Sequence, residues 1–298
     1  MLSVESQIES GKLVCPQTLQ RLIVQENLLV TADHKIQYPL IRGVPILIDQ
    51  ERQGEYLSEN SGSMEQEYNA TNAPASGLRR LLRRTLRAGN DYRSQASAEA
   101  FRQTVEGQAD NALCIAVGGG PLRHHEKLVN LNIGLFENVD IVADAYKLPY
   151  ADGVVDAVFC EAVLEHLEFP ETAVKEMYRV LKPGGQIFAA TPFLQMYHGY
   201  PNHFQNFTLT GHERLFTRNG FELISSGVCV GPTFVITDLL AAYIKFFRLP
   251  KLVKTSLLKT MAVLFAAMRP LDKKMNASPH ASDFASTTYV HVKKAAVV

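Results

Sequence analysis

The tetrapeptide Lys182-Pro183-Gly184-Gly185 constrains this chain more than any other stretch. It stands between "EMYRVL", which has helical apolar spacing, and "QIFAATPF", an apolar run of strand character. Lys suits a helix C-terminus, Pro cannot continue the helix, and Gly permits the left-handed turn that ends it. A helix delivered straight into a buried strand is half of a β-α-β unit. From about Asn111 such units repeat. The patterning predicts strands over 112–117, 128–132, 139–143, 154–160, 185–191, 221–229 and 286–293. It predicts helices over 171–181 and 210–219, with two more within 233–268. Alternating β and α segments argue for a mostly parallel sheet covered on both faces.

The first strand, "LCIAV", runs into Gly118, Gly119 and Gly120. A dinucleotide fingerprint is excluded: Gly118-x-Gly120 continues to Arg123 rather than to a third glycine, and no acidic residue follows on the second strand. What remains is an order of four segments. These are the glycine turn, "VDIVADAYKLPYADGVVDAVFCEAVLEHL" (139–167), "EMYRVLKPGGQIFAATPF" (176–193) and "LTGHERLFTRNGFELISSG" (209–227).

This order resembles class I S-adenosylmethionine-dependent methyltransferases over roughly 111–227, with the strand near Thr288 to Val292 completing the sheet. The resemblance implies an α/β fold with a Rossmann-like methyltransferase sheet, mostly parallel with its last strand antiparallel. A small β module precedes it, and a helical insertion lies before the last strand. It also implies methyl transfer from S-adenosylmethionine to a small molecule or a lipid or glycan intermediate. "TPFLQMYHGYPNHFQNFT" looks like a bacterial branch of these enzymes found beside glycan and lipid biosynthesis. Carried over position by position, Gly118, Gly119 and Gly120 form the cofactor turn and Asn132 stands at the ribose position. Asp144 and Ala145 lie at the adenine position, and Glu161, after Cys160, lies beside the methionine moiety.

The chain departs from that pattern. Ala116 stands in place of an acidic residue, Asn132 in place of a carboxylate, and Leu122 in place of the third glycine. The helices after the first two strands are shortened or lost. A non-catalytic scaffold of the same fold is therefore the alternative. His166, His198, His203 and His212 suit general-base work because imidazole titrates near neutrality. Of these, His198 and His203 lie just past the fifth strand, where substrates reach the methyl group in this superfamily, and are the catalytic candidates.

The chain divides into a β module over 1–50, a linker with helices over 51–109, and a methyltransferase-like domain over 110–298 with its insertion over 233–284. The module resembles the zinc-ribbon-like domain of the tRNA-methyltransferase activator family, through Cys15-Pro16 and "YPLIRGVPILI" (38–48). Structural zinc needs four ligands in two close pairs. Thr18 replaces one cysteine, and Thr31 and His34 occupy the second pair, so no metal is expected there and the module reads as a packing or partner-docking unit.

Thirty basic residues balance thirty acidic ones, which argues against bulk attraction to nucleic acid. The arginine stripe of Arg79, Arg80, Arg83, Arg84 and Arg87 still leaves an RNA-binding alternative. Four unpaired cysteines read as reduced thiols. "MLSVESQIES" lacks a signal peptide's order, and no run reaches the roughly 18 uninterrupted apolar residues of a span. A cytoplasmic protein is expected. The segment 234–274 reads as two helices broken at Leu249-Pro250, with Lys245, Arg248, Lys251, Lys254 and Lys259 around the bend. They form a lid over the sheet edge, or a lid that also rests peripherally on anionic membrane and brings in a lipid-linked acceptor. Oligomeric state is not readable.

Overall fold

A computed structural model describes residues 3–49, 93–199, 202–268 and 270–296. The arginine stripe lies outside them. Eleven strands form one sheet in the order β1-β2-β3-β4-β7-β6-β5-β8-β9-β11-β10. Five of them are the core: β5 (Cys114–Val117), β6 (Leu128–Asn132), β7 (Ile141–Ala143), β8 (Val155–Glu161) and β9 (Leu181–Pro192). They pair in parallel. β11 (Thr287–Lys294) inserts antiparallel between β9 and β10 (Phe221–Val230). The expected mostly parallel sheet with an antiparallel last strand is present.

Period-two alternation divides the core between two faces. Ile115, Val117, Val158, Cys160 and Ile187 join one cluster with α3 (Pro170–Val180) and with Leu215 and Phe216 of α4 (Leu209–Thr217). Cys114, Ala116, Phe159, Phe188 and Tyr289 form the other. Ala100 of α2 (Gln95–Phe101) and Val105 of the following π-turn (Arg102–Glu106) cover that second face. Helix α3 starts at Pro170, whose missing N–H costs nothing in the first turn. It stops at Val180, two residues before Lys182. Leu181 is already extended and pairs with Val155. Lys182-Pro183-Gly184-Gly185 thus lies inside β9 as an irregularity, with Gly184 at φ +79°. Pro183 restricts Lys182 to extended backbone and so keeps the helix from resuming, while Leu181 has already left it.

The N-terminal module holds a short helix α1 (Val4–Glu9) and a meander of β1 (Leu22–Gln25), β2 (Leu28–Thr31), β3 (Gln37–Ile41) and β4 (Val44–Leu47). Strand β4 pairs in parallel with β7, so the meander extends the central sheet. Leu13, Cys15, Leu22, Leu29 and Tyr38 share one core with Leu148 and Tyr150. At the positions compared with a zinc site, the Cys15 thiol is buried 3.2 Å from the Tyr38 hydroxyl. Thr31 donates to Asp33 Oδ1 and accepts from the Ile36 amide, so hydrogen bonds knit that turn.

The insertion is α5 (Pro232–Phe246), α6 (Lys251–Met268), α7 (Pro270–Met275) and a 3₁₀ turn (Ala281–Phe284). Asp272 anchors it, accepting from the Thr233 amide and hydroxyl. Leu239, Leu240, Tyr243 and Phe247 form an apolar face on α5 that a lid over the sheet edge would pack with, yet all four are exposed. Only Ile244 of that face is buried. Leu257 and Leu264 of the second helix are exposed as well. Periodicity located apolar faces but carried no information on what covers them. Among the described residues, no helix is long and apolar enough to cross a membrane.

Candidate functional site

Strand order reverses between β5 and β8, since β6 and β7 lie to one side of β5 and β9 lies beyond β8. The crevice outside the carboxyl ends of such a pair is where open α/β sheets bind ligands. Gly118, Gly119 and Gly120 leave the end of β5, Asn132 ends β6, Asp144 and Ala145 follow β7, and Glu161 ends β8. The sheet brings all seven expected positions to one edge.

The glycines have separate reasons for lacking side chains. A Cβ on Gly118, at φ +72°, would sit 2.3 Å from Val163 Cγ2. One on Gly119 would sit 2.1 Å from Asn130 Oδ1. Those two are glycine for internal packing. Gly120, at φ +61°, has nothing within 4 Å of its Cβ position, so it alone leaves open space over the backbone. The Gly118 and Gly119 amides both donate to the Leu131 carbonyl.

No helix follows β5 or β6, as the short connections predicted. A polar network ties them instead. Arg123 makes a bidentate pair with Asp140, and Asp140 also accepts from the Asn130 amide. The Asn130 side chain donates to the carbonyls of Gly120 and Asn138. Its role is set by two crossovers folding back, so nothing local in the sequence marks it. His124 packs against Phe159, with ring centroids 4.7 Å apart, and burial depresses its basicity.

Asn132 is 9% exposed, and its amide donates to the Gly134 carbonyl. Asp144 Oδ1 accepts from the Tyr146 amide. Glu161 pairs with Arg93 at 2.5 Å. Arg93 was missed in the sequence because its partner is remote in the chain. Ala162 takes φ +53°, a conformation costing a residue with a Cβ about 1–2 kcal/mol. That kink turns the chain so that Val163 covers Gly118.

Beyond it, a 3₁₀ turn (Leu164–His166) meets the loop after β9. Rings of His198 and His203 lie 4.4 Å apart, and His166 lies 5.3 Å from His198. Their tautomers follow from their partners. His203 Nδ1 accepts from the His198 amide, so its Nε2–H faces Asn206 Oδ1. Both nitrogens of His203 are thereby engaged within the loop. His198 Nδ1 donates to the Met196 carbonyl and His166 Nδ1 to the Asn202 carbonyl, so each neutral ring carries its lone pair on Nε2.

His212 is set apart. It lies on the buried face of α4, fully enclosed, with Nδ1 3.2 Å from both Thr191 and Thr288 hydroxyls, and burial lowers its pKa to about 3. It serves packing, not proton transfer to a ligand. Because the unfolded imidazole titrates near 6.5, the neutral form's stability is fully present above that pH and is lost as pH falls toward 3. The loss at pH 5 is about 2 kcal/mol. Thermal melts at pH 7 and pH 5 should show it, and His212→Gln should flatten the difference. An equal pH dependence in that variant would refute the assignment.

Residues 123–189 match the family model for the methyltransferase domain. The match runs from Arg123, after the glycine turn, into β9. The ubiquinone/menaquinone biosynthesis C-methyltransferase UbiE of Klebsiella pneumoniae is 44% identical over 57 residues, which are 19% of this chain and 23% of that protein. UbiE of Haemophilus ducreyi is 34% identical over 98 residues, 30% of this chain and 35% of that one. The chain therefore spans about a quarter to a third of these curated relatives. A solved structure of Burkholderia thailandensis 1,6-didemethyltoxoflavin-N1-methyltransferase with S-adenosylhomocysteine is 12% identical, with a TM-score of 0.44, covering 89% of this chain and 97% of that one.

Proposed function

We propose that this protein transfers a methyl group from S-adenosylmethionine to a small-molecule acceptor or to a lipid or glycan intermediate. The observation that carries the reading is the switch-point crevice, with the glycine turn at one lip and Glu161 at the other. The family match over 123–189 and the methyltransferase relatives support the reaction class.

The residues present fit the cofactor. Gly120 keeps open backbone where a side chain would intrude. Asn132, Asp144 and Glu161 bring oxygen acceptors to the ends of β6, β7 and β8, on either side of the glycine turn after β5, suited to hydroxyl, amine and ammonium donors. When bound, the cofactor supplies an electrophilic methyl on sulfur. The chain's part is to hold that methyl in line with the acceptor and exclude water, and alignment alone is worth several kcal/mol. His198 and His203, in the loop just past β9, are the candidates to take a proton from an acceptor; His203 holds the loop, and His198 can serve only while its Nε2 lone pair is free.

Calorimetric titration with S-adenosylhomocysteine tests this. One-site binding is expected, weaker than a carboxylate-lined site would give, because Ala116 and Asn132 bring no charge assistance. Neither heat nor thermal shift at millimolar ligand would leave the non-catalytic scaffold as the reading.

The acceptor class rests on the insertion. Phe246 is 86% and Leu252 85% exposed, on either side of the bend that carries Arg248 and Lys251. Apolar side chains beside basic ones suit reversible contact with an anionic bilayer surface. A peripheral site there would present a lipid-linked acceptor to the crevice.

A further inference from the structure

Glu165 has no part in the methyl-transfer reading. It is fully buried, and neither carboxylate oxygen has a hydrogen-bond partner. An unpaired buried carboxylate costs several kcal/mol unless something compensates it. The groups facing it are not donors. His166 Nε2 lies 3.9 Å from Oε1 and His198 Nε2 lies 4.0 Å from it. Each of those nitrogens carries a lone pair, because each Nδ1–H is committed to a backbone carbonyl. With the Glu165 carboxylate ionised, three acceptors converge and none of the three side chains supplies a donor.

We propose that Glu165, His166 and His198 bind a divalent first-row cation of the Zn²⁺ class. Their ligand atoms all lie within 4.8 Å of one another. Ligands held about 2.0–2.1 Å from a tetrahedral ion sit about 3.4 Å apart. Closing the two carboxylate–imidazole separations to that value needs about half an ångström. The carbonyl bonds to the Nδ1 atoms are the outer contacts that fix tautomer and ring orientation in metal sites. Two imidazoles and one carboxylate favour Zn²⁺ and its neighbours over Mg²⁺ or Ca²⁺, which prefer oxygen-only sets. Three protein ligands leave a coordination position open, on the side of His198, the most exposed of the three.

The test uses the full chain, stripped with chelator and titrated with ZnCl₂ alone, without the methyl donor, so its outcome is independent of the cofactor titration. One equivalent of saturable binding and a raised melting temperature are expected. Glu165→Gln and His198→Ala should each weaken binding by more than the roughly tenfold to hundredfold cost of losing an outer contact. Cys15→Ser should bind as the wild type does. Co²⁺ substitution gives a second readout: a d–d absorption band present in the wild type and lost in His198→Ala, whose site lies at the surface and leaves the core intact. No saturable binding, affinity unchanged in His198→Ala, or binding lost in Cys15→Ser would overturn the proposal.

Discussion

Gly118→Ala should unfold more readily than Gly120→Ala by a wide margin, although the two glycines are neighbours in one turn. Both have left-handed backbones, so each variant carries the strain of about 1–2 kcal/mol that a Cβ brings there. Only Gly118 also meets a side chain, Val163 Cγ2 at 2.3 Å. Val163 cannot retreat, because it follows the kink at Ala162 and packs against the main core. Overpacking adds about 1–3 kcal/mol. The melting temperature of Gly118→Ala should fall by about 10 °C, against a few degrees for Gly120→Ala. Ligand binding should show the opposite order: Gly120→Val should fold and lose S-adenosylhomocysteine, since its side chain enters the open space. Equal melting temperatures for the two alanine variants would remove the packing role assigned to Gly118. Undiminished binding in a folded Gly120→Val would remove the crevice from the cofactor's path.

Charge reversal at the bend of the insertion should abolish association with anionic vesicles. Each basic side chain near an anionic surface contributes about 1 kcal/mol. Lys251→Glu with Lys254→Glu removes two attractions and adds two repulsions, about 4 kcal/mol or roughly a thousandfold in partitioning. Co-sedimentation with phosphatidylserine-containing vesicles should retain the wild type, weaken as salt rises, and fail for the double variant. Phe246→Ser with Leu252→Ser should weaken binding without changing its salt dependence, because those side chains supply apolar contact. Equal recovery in the supernatant with and without vesicles would end the membrane reading and the lipid-linked acceptor with it.

The sheet was largely legible because buried strands carry period-two apolar runs bounded by turn residues. The strand expected over 128–132 is β6, and the helix expected over 171–181 is α3 shifted by one residue. The site was legible only as positions. Which edge the seven residues share follows from strand order, but their partners do not. Arg93 reaches Glu161 from before α2, and Asn130 reaches Gly120 because two connections lack helices. Glu165 was passed over because a charged residue inside "AVLEHL" reads as the polar side of a short turn. Its burial comes from the loop after β9 folding over it. Chemistry assembled across distant segments leaves no local signature, whereas a strand does.

The pairing of β4 with β7 has a consequence for how this chain folds and stays dispersed. Without the N-terminal meander, β7 would end the sheet as a bare edge of unsatisfied N–H and C=O groups flanked by Ile141 and Val142, an open invitation to another chain. The contact that closes it joins residues far apart in sequence, at the loop-closure cost of any long-range pairing. Any chain in which β7 is paired before β4 docks is adhesive along that edge. A protein truncated before Asp49 should therefore be lost to aggregates rather than yield a smaller functional domain. With the meander docked, that side of the sheet ends at β1, four residues long, too short a row to recruit a partner strand.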